Sequence, residues 1–167
     1  MENKMKRIDN IINNKRFRDR IDVIRNEERD RIFCRHGYEH ILEVARLSYI
    51  FALENGVAGE DKTLKKDIIY ATALLHDIGR FTPLEEEIGH RDAGPVIAKP
   101  ILQDAGFTDE EIELILDAIR KHGDSTSDKN SLAGLLYRAD KLSRECFICD
   151  AYNECNWPEE RKNHSLV

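Results

Sequence analysis

Apolar residues recur at three- and four-residue spacing in one segment after another, a period that fits helices and excludes half-buried strands. Ile8, Ile11 and Ile12 mark one face of a short first helix, and Phe17, Ile21 and Ile24 mark a second. From His36 the series His40, Val44, Leu47 and Phe51 predicts a longer helix that stops near Gly56. Ile68, Ala71, Thr72 and Leu75 form the inner face of a fourth, capped by Asp61, reaching His76 and Asp77 and ending at Gly79. Thr108 and Glu111 fit a reciprocal capping box ahead of Ile112, Ile115, Leu116 and Ile119, with Gly123 as the stop. Ser131 opens another helix through Leu132, Leu135, Leu136 and Ala139. His90 to Gly106 is also helical in pattern, but Pro95 and Pro100 remove backbone donors, so a kink or two short helices are expected. Arg80 to Gly89 and Gly123 to Asn130 read as non-helical. No segment alternates strictly or gathers β-branched residues, and neither an internal repeat nor a low-complexity tract is present. The expected fold is an all-α, single-domain helical bundle.

Composition limits what such a bundle can do. With 167 residues, 41% of them hydrophobic, the chain has material for one buried core. Its 32 acidic and 26 basic side chains leave a net charge of −6, which argues against broad binding of nucleic-acid backbone. Residues 1–35 carry eleven Lys/Arg and seven Asp/Glu, a local +4 that leaves −10 on the rest, so any basic patch belongs to the amino-terminal segment. No stretch approaches the ~18 apolar residues of a membrane span, and the first residues lack the apolar centre of a secretory signal. Four cysteines, Cys34, Cys146, Cys149 and Cys155, do not make a disulfide scaffold in a chain of this size. A reduced, cytoplasmic protein is expected.

The six histidines, at 36, 40, 76, 90, 122 and 164, carry the chemistry. His40 is in phase with Val44 and Leu47; His76 and Asp77 end the apolar run Ala73-Leu74-Leu75; His122 ends the Ile112–Ile119 helix; Asp140 follows Leu135-Leu136-Tyr137-Arg138-Ala139. A carboxylate desolvated among leucines without a partner costs several kcal/mol, and convergence on a divalent cation removes that cost. Imidazole nitrogen with carboxylate oxygen suits Mn, Fe, Co, Ni or Zn. Neighbours on a helix point about 100° apart, but a helix ending at Gly79 lets His76 and Asp77 swing together. Taken singly, each of these residues also fits a plain role as cap or packing group.

His40 in "HILEVARL", the "LLHDIGR" of 74–80 and Asp140 in "LLYRADKL" together resemble the HD-domain superfamily of metal-dependent phosphohydrolases, over roughly residues 34–145. The resemblance implies a metal-binding core over 34–145, flanked by amino-terminal helices in 1–33 and a closing segment in 146–167. It implies that His40, His76, Asp77 and Asp140 hold one metal ion. Further histidines of two-metal members match "HRDAG" and "IRKHG", which makes His90 and His122 candidates for a second ion bridged by Asp77. A mononuclear site with phosphate-binding histidines is the alternative. The chain lacks the second His and Gly-Tyr-Pro segment of cyclic-dinucleotide phosphodiesterases of this fold, and it matches dinucleoside-tetraphosphate hydrolases only in part.

The implied function is hydrolysis of a phosphate ester or anhydride of a small molecule, most plausibly a nucleotide, by metal-bound hydroxide, with one or two divalent transition metal ions as cofactor. Asp77, Arg80 and Lys141 are the expected catalytic residues. Arg80, His36, Lys121 and Arg144 are the expected substrate contacts, because cations offset charge on phosphate oxygens. The loops Phe81–Glu87 and Asp124–Asn130 are the expected pocket lining. Two other classes remain open: a di-iron oxygenase on an HD-like fold, and a non-catalytic metal- or nucleotide-binding regulatory module. Cys146, Cys149 and Cys155 form C-x2-C-x5-C, which binds a metal if Cys34 or His164 supplies a fourth ligand, or else packs as small apolar groups. Trp157-Pro158 predicts a turn into a last short helix.

Overall fold

Asn14 alone separates the first two helices, its extended backbone turning the chain while its side chain accepts from the Arg16 amide. These are α1 (Lys6–Asn13) and α2 (Lys15–Glu27). The computed structural model describes residues 5–59 and 64–166. Six further helices follow: α3 (Tyr38–Glu54), α4 (Lys66–Leu75), α5 (Pro83–Ile88), α6 (His90–Ala105), α7 (Asp109–Lys121) and α8 (Leu132–Leu142). Short 3-10 turns cover Cys146–Ile148 and Glu159–Arg161, the second placed where Trp157-Pro158 predicts it. Strand-like pairing among the described residues is limited to one bridge between Ala58 and Leu64, so the fold is all-α. Asp61, the expected cap of α4, lies outside the described residues.

The predicted apolar faces are the buried ones. Phe17, Ile21 and Ile24 of α2, Val44 and Phe51 of α3, and Ile112, Ile115, Leu116 and Ile119 of α7 are all in the core. α4 is buried nearly all round, from Ile68 to Leu75, and packs against α3, α7 and α1. Each such Ile or Leu contributes about 1.5–3 kcal/mol through its removal from water. The capping box at Thr108 and Glu111 forms in both directions, and Ser131 caps α8 by accepting from the Gly134 amide.

Three local expectations are corrected. α4 ends at Leu75, with His76 as its cap residue, and a run of tight turns replaces the last helical turn as far as Phe81. Residues 83–88 of the expected loop form α5. There Thr82 accepts from the Glu85 amide, Pro83 sits in the first turn where its missing donor costs nothing, and Glu85 and Glu86 favour the positive helix end. α6 runs unbroken through Pro95 and Pro100. Ala93, Gly94, Pro95, Ala98, Ile101 and Leu102 are buried in it, and packing against α7 and α1 offsets two lost hydrogen bonds.

Candidate metal centre

α4 and α7 end at the same place, and each ends on a histidine. The last carbonyls of a helix lack intrahelical partners. Here the ring nitrogens supply them: Nδ1 of His76 lies 2.7 Å from the Ala73 oxygen, and Nδ1 of His122 lies 2.6 Å from the Ile119 oxygen. A carbonyl only accepts, so both Nδ1 atoms carry a proton, and in the neutral ring Nε2 is the atom that presents a lone pair. The negative ends of the two helix dipoles point into the same space, which favours a cation there.

His40, in the first turn of α3, is fixed in the same tautomer by Ser143, a residue with no distinguishing sequence signal of its own. The Ser143 hydroxyl donates to the Asp140 carbonyl at 2.9 Å, which leaves its lone pairs to accept from His40 Nδ1 at 3.3 Å. The signal for Ser143 was its place one turn after Asp140, legible only once α8 is known to face α3.

These Nε2 atoms surround Asp77. Its Oδ2 lies 3.2 Å from His76 Nε2 and 3.9 Å from His40 Nε2. Its Oδ1 lies 3.9 Å from His122 Nε2 and 4.0 Å from His90 Nε2. One carboxylate therefore belongs to two groups whose ligand atoms lie within 4.8 Å of one another: His40, His76 and Asp77, and Asp77, His90 and His122. Asp140 Oδ1 approaches the first group at 3.4 Å from His40 and 4.0 Å from His76. All six expected metal-binding residues are thus brought together. Nε2 of His40 and of His76 are buried without a hydrogen-bond partner. Lone pairs facing carboxylates in a dry site are unfavourable unless a positive charge sits between them. The donor set, histidine nitrogens and carboxylate oxygens, fits one or two borderline divalent cations.

The electrostatics agree. Burial alone raises the Asp77 carboxyl, but the His76 ring beside it holds it well below the usual carboxylate range. Asp140 is also desolvated, yet the adjacent His40 and His76 rings and the cationic Arg144 and Lys141 keep it ionised. Burial lowers His40, His90 and His122, the last to about 4, which keeps these rings neutral and able to ligate.

The basic residues divide. Arg80 lies within the turn and stands 3.8 Å from Asp77 Oδ1. Lys141 Nζ is 2.6 Å from Asp140 Oδ2, and Arg144 Nη2 is 3.2 Å from Asp140 Oδ1. Arg144 is nearly buried in that pair, so it positions Asp140 rather than meeting solvent. Lys121, an expected substrate contact, is exposed on α7 and paired with Asp117 at 2.8 Å, because the i,i+4 partner is the nearest carboxylate on its side of the helix. His36 is buried against His40, ring centroids 5.4 Å apart, and is gripped by Glu28, which accepts from its backbone amide at 2.6 Å and lies 2.6 Å from its Nδ1. Glu28 carried no sequence signal; only the packing of the segment between α2 and α3 brings it there. Phe81, with φ of +55°, takes the left-handed conformation that closes the turn beside Arg80, at a cost of about 1–2 kcal/mol.

Two cavities flank the centre. One, of about 580 Å3, is lined by Gly123, Ser125, Arg138, Lys141 and Trp157 among others. The other, of about 590 Å3, reaches His40, Ser143 and Arg144. Of the loops expected to line a pocket, only Ser125 does so; Phe81–Glu87 lines neither, being largely committed to α5.

Two consequences are measurable. Ser143→Ala frees His40 to rotate or change tautomer, and metal affinity is expected to fall about 10–100-fold while the fold persists, as isothermal titration reads directly. In metal-free protein, stability is expected to fall between pH 6.5 and about 4. Burial holds His122 and His36 at about 4 in the folded state against 6.5 ordinarily, so across that window the unfolded chain takes up protons that the folded chain refuses. Each contributes a loss of up to about 3 kcal/mol. His76, raised by Asp77 against the effect of its burial, acts in the opposite sense above 6.5. Denaturant midpoints at successive pH values check the sign.

Comparison with known proteins bears on the same residues. The family model described as HD domain matches residues 37–145, a span that includes all six clustered residues. An uncharacterized protein of Clostridium beijerinckii is 42% identical over 139 residues, covering 83% of this chain and 84% of its own. Ribonuclease Y of Staphylococcus epidermidis is 33% identical over 105 residues, and ribonuclease Y 1 of Pediococcus pentosaceus is 30% identical over 104. In both, the aligned part is 17% of the relative's length. No solved structure matches the chain significantly.

Proposed function

This chain belongs to the HD-domain family, and on that premise we propose that it hydrolyses a phosphate ester or anhydride of a small anionic molecule, a nucleotide being the favoured class. The observation that carries the proposal is Asp77, shared between two groups of histidine nitrogens through its two oxygens. When bound there, divalent cations supply Lewis acidity and an activated water for attack at phosphorus. His40, His76, Asp77 and Asp140 would hold the first ion, and Asp77, His90 and His122 a second.

The remaining steps belong to the side chains. Arg80 is placed to pair with a non-bridging phosphate oxygen, since its Nη1 already leans on Asp77 and its Nε is buried without a partner. Lys141 is less buried than Arg144 and borders the 580 Å3 cavity, so it can leave Asp140 for the substrate while Arg144 keeps that carboxylate in place. Arg138 and Arg161 line the same cavity and favour an anion on that approach. His36, held by Glu28, supports His40 from behind. The ribonuclease Y relatives support a phosphoester bond as the target. The net charge of −6 favours a small molecule over a polymer backbone.

The experiment is a panel of nucleotides and aryl phosphates offered to protein loaded in turn with Mn, Fe, Co, Ni and Zn, with phosphate release as the readout. Turnover that needs the metal and is lost in Arg80→Ala is the expected result. Metal binding with no turnover on any substrate would instead assign a binding module, and oxygen uptake by the iron form would assign an oxygenase. Among the described residues, no helix is long and apolar enough to cross a membrane.

A further inference from the structure

Three of the four histidines grouped around Asp77 have a neutral acceptor fixed behind the ring. The Ala73 and Ile119 carbonyls stand behind His76 and His122, and the Ser143 hydroxyl stands behind His40. Those three side chains are only 0%, 7% and 9% exposed. His90 differs on both counts. Its side chain is 30% exposed, and a carboxylate faces its Nδ1, with Glu85 Oε1 3.7 Å away. We propose that Glu85 is the positioning residue for His90, aiming its Nε2 lone pair toward Asp77 and so setting the affinity of the second ion. The proposal rests on the two-ion centre read above.

The fold fixes Glu85 from several sides. It lies in the first turn of α5, where its amide donates to the Thr82 hydroxyl at 2.9 Å. Its carbonyl accepts from the Gly89 amide at 2.8 Å, the bond that ends α5 and delivers the chain to His90 at the start of α6. Its second carboxylate oxygen, Oε2, accepts from the Phe81 amide, where the turn carrying His76 and Asp77 closes. One side chain thus ties the turn that holds Asp77 to the first residue of α6. Arg20 of α2 braces the same turn, donating to the carbonyls of Ile78, at 3.4 Å, and of Arg80. Its positive charge also interacts with Glu85.

The two nitrogens of the His90 ring therefore face two different carboxylates, Nδ1 toward Glu85 and Nε2 toward Asp77 Oδ1 at 4.0 Å. A half-exposed imidazole with no partner turns freely and can present its lone pair on either nitrogen. An acceptor behind Nδ1 removes both freedoms, and a carboxylate there raises the basicity of the ligating nitrogen. The first ion group has no such dependence, because His40 and His76 are buried on neutral partners. Loss of Glu85 weakens the second ion and leaves the first in place.

The test uses the full chain and reads ring tautomer and metal uptake, neither of which depends on turnover. Long-range proton–nitrogen NMR of metal-free protein is recorded at about pH 8, where His90, its pKa lowered by burial, is neutral. It should show the His90 proton on Nδ1 in wild type and no longer fixed there in Glu85→Ala. In calorimetric titration with Mn(II), wild type should take up two equivalents. Glu85→Ala should keep the first at unchanged affinity and lose about 10–100-fold on the second. Glu85→Gln, which retains an acceptor oxygen without the charge, should restore the Nδ1 proton and part of that affinity. Glu86→Ala, an exposed acid of the same helix, should change neither readout. Should Glu85→Ala fail to fold, the wild-type tautomer and the Glu85→Gln titration still decide the matter. A wild-type His90 protonated on Nε2, or a second equivalent indifferent to Glu85→Ala, overturns the proposal. So do two equivalents weakened together, which would make Glu85 a brace for the turn at Phe81 and nothing more. Phosphate turnover by wild type holding a single equivalent would overturn it while the hydrolase reading stood. The expected pattern without turnover would support it while that reading fell.

Discussion

Asp77→Ala is expected to reduce metal-dependent phosphate release to background and to remove both ion groups at once. Its two oxygens are the atoms common to His40 and His76 on one side and His90 and His122 on the other. No neighbour can replace them, because Asp140 approaches only the first pair and is already engaged by Lys141 and Arg144. The fold should survive. Removing Asp77 relieves the desolvation of a carboxylate and leaves His76 as a neutral ring hydrogen-bonded to Ala73, so the metal-free midpoint should move by no more than about 1 kcal/mol. The separating measurement is thermal unfolding with and without metal. Wild type at a metal concentration of about 100 times Kd should gain about 2.7 kcal/mol, and Asp77→Ala should gain almost none. Full phosphate turnover by this variant would sink the proposed mechanism.

Gly79→Ala is expected to be the most damaging one-methyl change near the site. Gly79 closes the turn that carries His76 and Asp77, and a Cβ there would stand 2.6 Å from the Gly94 amide nitrogen and closer still to the His90 carbonyl oxygen. Both are backbone atoms of α6, which cannot step aside as a flexible side chain would. Overpacking of this kind costs about 1–3 kcal/mol and occasionally more, and the upper end applies here. Because the displaced element carries His90, the loss of stability should come with weaker binding of a second metal equivalent. Gly134→Ala is the control. Its Cβ would meet the Asp128 backbone, with the carbonyl carbon at 2.7 Å, so it should destabilise the chain while leaving His90 in place. If Gly79→Ala lost stability but kept two metal equivalents at wild-type affinity, the turn would not be what positions His90.

The ligand residues were legible because desolvating a carboxylate among leucines leaves a mark in sequence. His76-Asp77 after Ala73-Leu74-Leu75, and Asp140 after Leu135-Leu136, put charge where an apolar face should continue. The residues that support them were not legible. Ser143 and Glu28 look like ordinary surface polar groups until α8 meets α3 and the segment after α2 folds back on His36. Arg144 and Lys121 were read alike as cations near a histidine or aspartate. Packing divides them: one is buried on Asp140 and the other exposed beside Asp117.

The α5 and α6 corrections have one origin. Pro83, Pro95 and Pro100 each remove one donor, and whether that loss matters depends on what surrounds the helix. In α5 the proline falls where no donor was needed; in α6 the buried face from Ala93 to Leu102 outweighs two absent bonds.

The sequence by itself determined that the chain is helical, which faces are buried, and which histidines and aspartates interrupt those faces. These follow from periodicity and from the cost of burying polar groups, both local properties. Tertiary structure alone decided that α4 and α7 end side by side, so that one carboxylate serves two sets of ring nitrogens. It also decided that Cys34 lines the same cavity as Cys146, Cys149 and Cys155 from the far end of the chain. Such meetings depend on how helices pack against one another, and no local pattern records the distance between residues that touch only after folding.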